Sequence, residues 1–257
     1  MKGNMATVQG EFGEIFLFED FTGPEVLVAL TGASENVYKD FRVIGDGTED
    51  TDSGITVDEA TVPLNGVGVL TTTNETKHGV YLATSLCLNP AKNGPLVLEC
   101  RVQFADLDSK AFFMGLSSAN GDDLSLEDDL INGAGTTLIL TATDICGFFY
   151  DEGLTDDEDW HAVYKGGTAT GETVSSNVDL DDDAVLGEFQ ILRLEVDPNG
   201  TARWYIDGVL LKTLAGAVTT TATDYLAAIC GVESKANTIE YAYLDYFAVR
   251  ANRDWTV

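Results

Sequence analysis

The stretch from Phe189 to Leu214 constrains the fold more than any other part of this chain. Leu192, Leu194 and Val196 alternate with Arg193 and Glu195, so an extended segment has one apolar and one wet face. Asp197-Pro198-Asn199-Gly200 then turns the chain, because proline fixes φ while Asn and Gly tolerate positive φ. Thr201 to Ile206 returns with Ala202, Trp204 and Ile206 on the apolar side. Asp207-Gly208 is the strongest short-range hairpin signal and leads into Val209 to Leu214. A meander of three antiparallel strands leaves one face to be buried against a second layer.

The same period of two recurs elsewhere. Val97 to Phe104 places Leu98, Cys100, Val102 and Phe104 on one face and Glu99, Arg101 and Gln103 on the other. Asp106-Leu107-Asp108-Ser109 turns, and Ala111 to Leu116 continues as a strand. Shorter strands are expected at 15–18, 41–44, 67–72, 79–83, 138–141 and 147–150. A last strand over Ile239 to Val249 has two readings. Its odd frame is the more apolar but puts Asp245 among core residues, so either Asp245 is hydrogen-bonded internally or a bulge shifts the register there. Helical periodicity is nearly absent, and no Pro/Ser-rich linker or repeat divides the chain. The expectation is an irregular arm over residues 1–14, one domain over 15–250, and a tail over 251–257.

Composition sets limits on function. Fourteen basic against 43 acidic side chains give a net charge of −29, and phosphate contacts depend on the basic side chains scarce here, so a nucleic-acid binder is excluded. An anionic membrane surface would repel the chain, and no apolar run approaches membrane-spanning length. The opening Met1-Lys2-Gly3-Asn4-Met5 carries no apolar secretory stretch, so synthesis in a cytoplasm is expected. Cys87, Cys100, Cys146 and Cys230 are far apart and form no C-x-x-C pair, which reads as four buried thiols. The charge is uneven: between Ala111 and Leu192 stand 18 acids and a single base, Lys165, so one side of the molecule should be strongly electronegative.

The order of these elements resembles the concanavalin A-like lectin and glucanase superfamily, in its laminin-G-like branch. The residues that carry the likeness are Phe18-Glu19-Asp20-Phe21, the strand pair from Leu98 to Leu116, the hairpin Leu192 to Gly208, and Tyr243-Leu244-Asp245-Tyr246. The resemblance implies an all-β fold, a concanavalin A-like jelly-roll β-sandwich of two antiparallel sheets with short irregular N- and C-terminal arms. It leaves function open, because the fold hosts lectins, hydrolases and structural modules. Two further segments, Leu154 to His161 and Ala251 to Val257, look like stretches in uncharacterised proteins of tailed bacteriophages, which implies a virion component.

Glycoside hydrolysis needs two carboxylates at a set separation, and glucanases of the superfamily carry theirs as alternating acids on one strand. No strand here has that pattern; Glu195 and Asp197 alternate but sit on a wet face beside a turn, so no catalytic residue is assigned. Trp160, with Asp159 and His161, forms a candidate sugar platform, against the alternative that the indole packs a loop onto the sandwich. Asp46, Asp50 and Asp52 in one loop, and Asp179, Asp181 and Asp183 in another, are candidate Ca²⁺ ligands, although neither loop has EF-hand form. His78 and His161 are far apart, no Ser lies in a G-x-S-x-G elbow, and Gly166-Gly167-Thr168 lacks a phosphate-loop lysine.

The leading expectation is therefore a non-enzymatic structural protein of a tailed-phage virion, assembled in the host cytoplasm: a capsid decoration protein. Its partners would be the major capsid protein or other virion proteins and further copies of itself, with assembly through Met1, Lys2, Phe12, Arg250, Arg253 and Trp255. The alternative is a lectin-like module that binds glycans at the loops near Trp160.

Overall fold

The computed structural model describes residues 13–22, 27–29, 36–45, 53–57 and 66–253. Nineteen strands run in order: β1 Glu14–Glu19, β2 Leu27–Ala29, β3 Asn36–Tyr38, β4 Phe41–Ile44, β5 Gly54–Val57, β6 Gly68–Thr71, β7 Gly79–Ala83, β8 Leu96–Gln103, β9 Lys110–Ser117, β10 Ile131–Ala134, β11 Thr137–Leu140, β12 Ile145–Asp151, β13 Asp159–Lys165, β14 Asp179–Asp183, β15 Gln190–Val196, β16 Ala202–Ile206, β17 Val209–Leu214, β18 Ala227–Ser234 and β19 Tyr241–Asn252. A four-residue helix, Pro90–Asn93, and a single π turn, Leu126–Leu130, interrupt them.

Two antiparallel sheets stack. The nine-stranded sheet runs β17-β16-β15-β8-β19-β6-β5-β2, with β1 also pairing β19; the eight-stranded sheet runs β14-β13-β12-β9-β18-β7-β4-β3. The fold is the expected jelly-roll β-sandwich. The predicted meander is β15-β16-β17, with positive φ at Asp207 and Gly208 as its tight turn requires. β8 and β15 alternate strictly between buried and half-buried positions along their length. Their inward residues, Leu98, Cys100, Val102, Leu192, Leu194 and Val196, meet Phe112, Met114, Cys146, Phe148, Cys230 and Val232 of the opposing sheet.

The register of β19 has a clear physical cause. Its pairing with β8 shifts between Leu244 and Tyr246, so the buried set is Ala242 and Leu244 before the bulge and Phe247, Val249 and Ala251 after it. Tyr241 and Tyr243 are therefore half-buried on the outer side rather than in the core, as the odd frame had placed them. Asp245 faces outward and meets Arg101 at 2.6 Å. The strand also extends to Asn252 and β1 starts at Glu14, so the tail begins later than expected, and Arg250 belongs to a strand rather than an arm. Of the four cysteines, three are buried free thiols, whereas Cys87 is exposed.

Candidate functional site

Two separately expected clusters, residues 159–161 and the acids at 179–183, come together on one edge of the eight-stranded sheet. β13 and β14 pair antiparallel, with Asp159 opposite Asp183 and His161 opposite Asp179, and a register break lies between. Alternation along β13 decides which way each residue points. Trp160 points inward and is wholly buried, with its ring centroid 5.9 Å from those of Phe104, Phe112 and Tyr150. Its Nε1 donates to Gln190 Oε1 at 3.2 Å. The indole offers no face to solvent, so it packs, as the favoured of the two sequence readings has it, but within the core of the sandwich and not on a sugar.

Asp159 and His161 face outward from that core. One carboxylate oxygen each from Asp156, Asp159 and Asp179 lie within 4.8 Å of one another. Asp156, in the β12–β13 loop, accepts from Ser175 Oγ at 3.2 Å. Partial burial, a hydrogen bond with Asp183 and repulsion from Asp179, Asp183 and Asp156 push the Asp159 carboxyl up to about 7. Asp181 is not part of the group: it turns away at positive φ and donates its N–H to Asp179 Oδ1 at 2.7 Å. His161 is fully buried, yet neither ring nitrogen has a hydrogen-bond partner, and Nε2 stands 3.5 Å from Asp156 Oδ2. The other expected metal loop, Asp46, Asp50 and Asp52, lies outside the described residues, as do Met1, Lys2, Phe12 and Trp255.

The outer face of the eight-stranded sheet is closed. One transverse row across it reads Ile44, Tyr81, Gly231, Phe113, Phe149, His161 and Asp179. A second hydrophobic cluster covers most of that row: Leu124, Leu126, Leu130, Ile131, Leu138 and Ala142, all between β9 and β12, pack on Tyr81, Phe113, Phe149 and Ile229. Phe113 beds onto glycines; a Cβ at Gly115 or Gly147 would come within 2.8 or 2.9 Å of its ring. Two buried carboxylates, missed in the sequence, fasten this cover. Glu233 accepts from Tyr81 OH at 2.9 Å, from Glu127 N at 3.0 Å and from Leu126 N. Asp151 accepts from Gly133 N at 2.9 Å, Gly153 N at 2.8 Å and Lys235 Nζ at 3.0 Å. Burial outweighs these donors and pushes Glu233 up to about 7 and Asp151 upward as well. The available signal was local: Asp151 ends an otherwise apolar strand, and Glu233 is the penultimate residue of another.

Among the described residues, nothing folds over the outer face of the nine-stranded sheet. Two transverse rows cross it, Phe18-Ala248-Glu99-Arg193-Tyr205 and Phe16-Arg250-Val97-Glu195-Arg203. Phe16, Phe18, Tyr246, Glu99, Arg193 and Arg250 line a groove of about 250 Å³. Phe18 is 44% exposed, stacks on Phe16 at 5.7 Å and lies 6.0 Å from Tyr246. Arg250 sits over the Phe16 ring at 5.2 Å. Glu99 accepts from Tyr246 OH at 2.8 Å and Arg193 at 3.0 Å, which fixes both donors. Four of the chain's six arginines stand on this one face, three of them paired with carboxylates and Arg250 over the Phe16 ring.

Comparison with known proteins identifies the fold. No family model matches, and no curated protein matches by sequence. Among solved structures, LamA of Z. galactanivorans in complex with laminaritriose and laminaritetraose matches with a TM-score of 0.55 at 9% identity, covering 91% of this chain and 97% of that one. An immunostimulatory antigen and pseudo β-1,3-glucanase of Mycobacterium tuberculosis matches at 0.54 and 11%, covering 94% and 100%. The Emp46p carbohydrate recognition domain matches at 0.50 and 14%, covering 79% and 88%. The chain therefore has the concanavalin A-like sandwich that carries both glucanases and lectin domains. These comparisons give the virion expectation no support. No helix among the described residues is long and apolar enough to cross a membrane.

Proposed function

We propose that this protein is a non-catalytic carbohydrate-binding sandwich whose ligand lies on the open face of the nine-stranded sheet. The observation that carries this reading is the strip of Phe16, Phe18 and Tyr246 beside Glu99, Arg193 and Arg250. Aromatic rings offer flat apolar surface to the C–H faces of a sugar ring, and the planar ionic groups beside them hydrogen-bond its hydroxyls. A few fixed polar groups within an apolar lining is the general form of a small-molecule site.

The carboxylates argue against hydrolysis. Each acid named on the open face is tied to an arginine: Glu99 and Glu195 to Arg193, Asp197 to Arg203, and Asp245 to Arg101. The hydrogen bond to Arg203 holds Asp197 below the usual carboxylate range, which is the wrong direction for a general acid. Glu233 and Asp151 have raised values but are sealed under the cover. Asp159 and Asp183 face each other across the β13–β14 pair, on the edge of the other sheet and away from the open face.

The test is a glycan array on the full chain, followed by titration of any hit against Phe18→Ala and Tyr246→Ala. Selective binding that both variants lose supports the reading; release of reducing ends from any hit contradicts it. A second reading keeps a structural role, with the chain docking on virion proteins through its terminal segments. It is favoured by one observation: Arg253 N donates to Gly13 O at 3.0 Å and Asn252 pairs with Glu14, so both ends of the described chain leave the sandwich at one corner. A chain lacking residues 1–12 that keeps its glycan affinity but no longer assembles would favour that reading.

A further inference from the structure

We propose that the edge formed by β13, β14 and the β12–β13 loop is a divalent-cation site, in which Asp156, Asp159 and Asp179 supply oxygen ligands and His161 a nitrogen, and which takes Mn²⁺ or Zn²⁺ in preference to Ca²⁺. Two independent observations carry it. Three carboxylate oxygens converge within 4.8 Å. Like charges so close repel unless a cation joins them.

The second observation is the imidazole. His161 is fully buried with both ring nitrogens unpartnered, a rare state for buried polar atoms. Its Nε2 stands 3.5 Å from Oδ2 of Asp156, one of the three carboxylates, and its cross-strand partner is Asp179. A cation bound between them satisfies the nitrogen and cancels the repulsion in one step. Imidazole beside carboxylates is a donor set for the Mn–Zn range, since Ca²⁺ takes oxygen alone. Ser175 Oγ, donating to Asp156, orients one ligand from behind. A cation here would tie the edge strand β14 to the loop that precedes β13. The site is separate from the open face of the other sheet, so its fate and that of the glycan reading are independent.

The experiment uses the full chain stripped with EDTA, titrated calorimetrically with MnCl₂, ZnCl₂ and CaCl₂, with thermal melts in parallel. The expected result is one Mn²⁺ or Zn²⁺ per chain with a rise in Tm. Affinity should fall by about tenfold or more in Asp156→Asn, whose side chain sits on a loop, and in Asp159→Asn. It should be unchanged in Asp181→Asn, whose carboxylate is outside the group. Nitrogen coupling in the Mn²⁺ spin-echo spectrum, lost in His161→Gln, would support the imidazole as a ligand. No stoichiometric uptake, equal uptake by Asp156→Asn, or tighter binding of Ca²⁺ than of both other ions would overturn the proposal.

Discussion

The two outer faces of this sandwich are built from the same alternation and end differently. On the nine-stranded sheet the outward positions are long, charged or aromatic: Arg101, Arg193, Arg203, Glu99, Phe18 and Tyr246 stand at the surface, and the ions pair with one another. On the eight-stranded sheet the outward positions are Tyr81, Phe113, Phe149 and Ile229, which cannot face water together, so residues between β9 and β12 fold back over them. One face spends its side chains on a cover, and the other leaves them available for a ligand. The difference teaches where recognition can happen in a fold that by itself leaves function open.

The largest expected effect comes from breaking the covered face. Phe149→Ala removes a fully buried ring between sheet and cover and should cost about 3–5 kcal/mol in urea unfolding. Phe18→Ala, an aromatic truncation on the open face, should cost less than about 1 kcal/mol of stability while abolishing glycan binding. Equal losses of stability at the two positions would erase the contrast.

A second effect sharpens it through pH. Glu233 is raised from 4.5 to about 7 in the folded protein. Between those values the folded state holds a proton that the unfolded state releases, so this group's contribution to stability is greatest below the unfolded value and is lost as pH rises through 7. The limit is on the order of 3 kcal/mol at about 1.4 kcal/mol per unit. Folding free energies at pH 5 and 7.5 should therefore show a penalty at the higher pH in the wild type that Glu233→Gln lacks. An identical slope in both proteins would mean that the carboxylate under the cover is not the titrating group.

The smallest effect is at the rim of the groove. Arg250 is exposed, and among the described residues no carboxylate lies within ion-pair distance of it. Arg250→Ala should leave the melting curve unchanged and weaken binding of the array hit by about tenfold. A change in stability without a change in affinity would reassign Arg250 to packing on Phe16.

What was legible in the sequence followed the range of the interaction. The β15–β17 meander was readable because Asp197 to Gly200 and Asp207-Gly208 determine their own turns. The bulge at Asp245 was only one of two readings, because Arg101, the partner its carboxylate meets, is 144 residues away. The acids at 179–183 and the Asp159–His161 segment were both singled out, but that they form one group depends on β13 pairing with β14. Packing of Trp160 was the favoured reading of a single indole, and alternation along β13 gives its reason by sending the ring to the side opposite from its charged neighbours. The cover leaves its sign in the apolar run from Ile145 to Tyr150, since a strand without a wet face is packed on both sides, and every position of β12 is buried.

The proposed glycan site on the nine-stranded sheet is best probed by hydrogen–deuterium exchange of the full chain, with and without a saturating array hit. New protection is expected only in β1, β8 and the Tyr246–Arg250 part of β19, with exchange between β9 and β12 unchanged. Protection that instead appears across residues 118–144, or an oligosaccharide cleaved during the incubation, would contradict it.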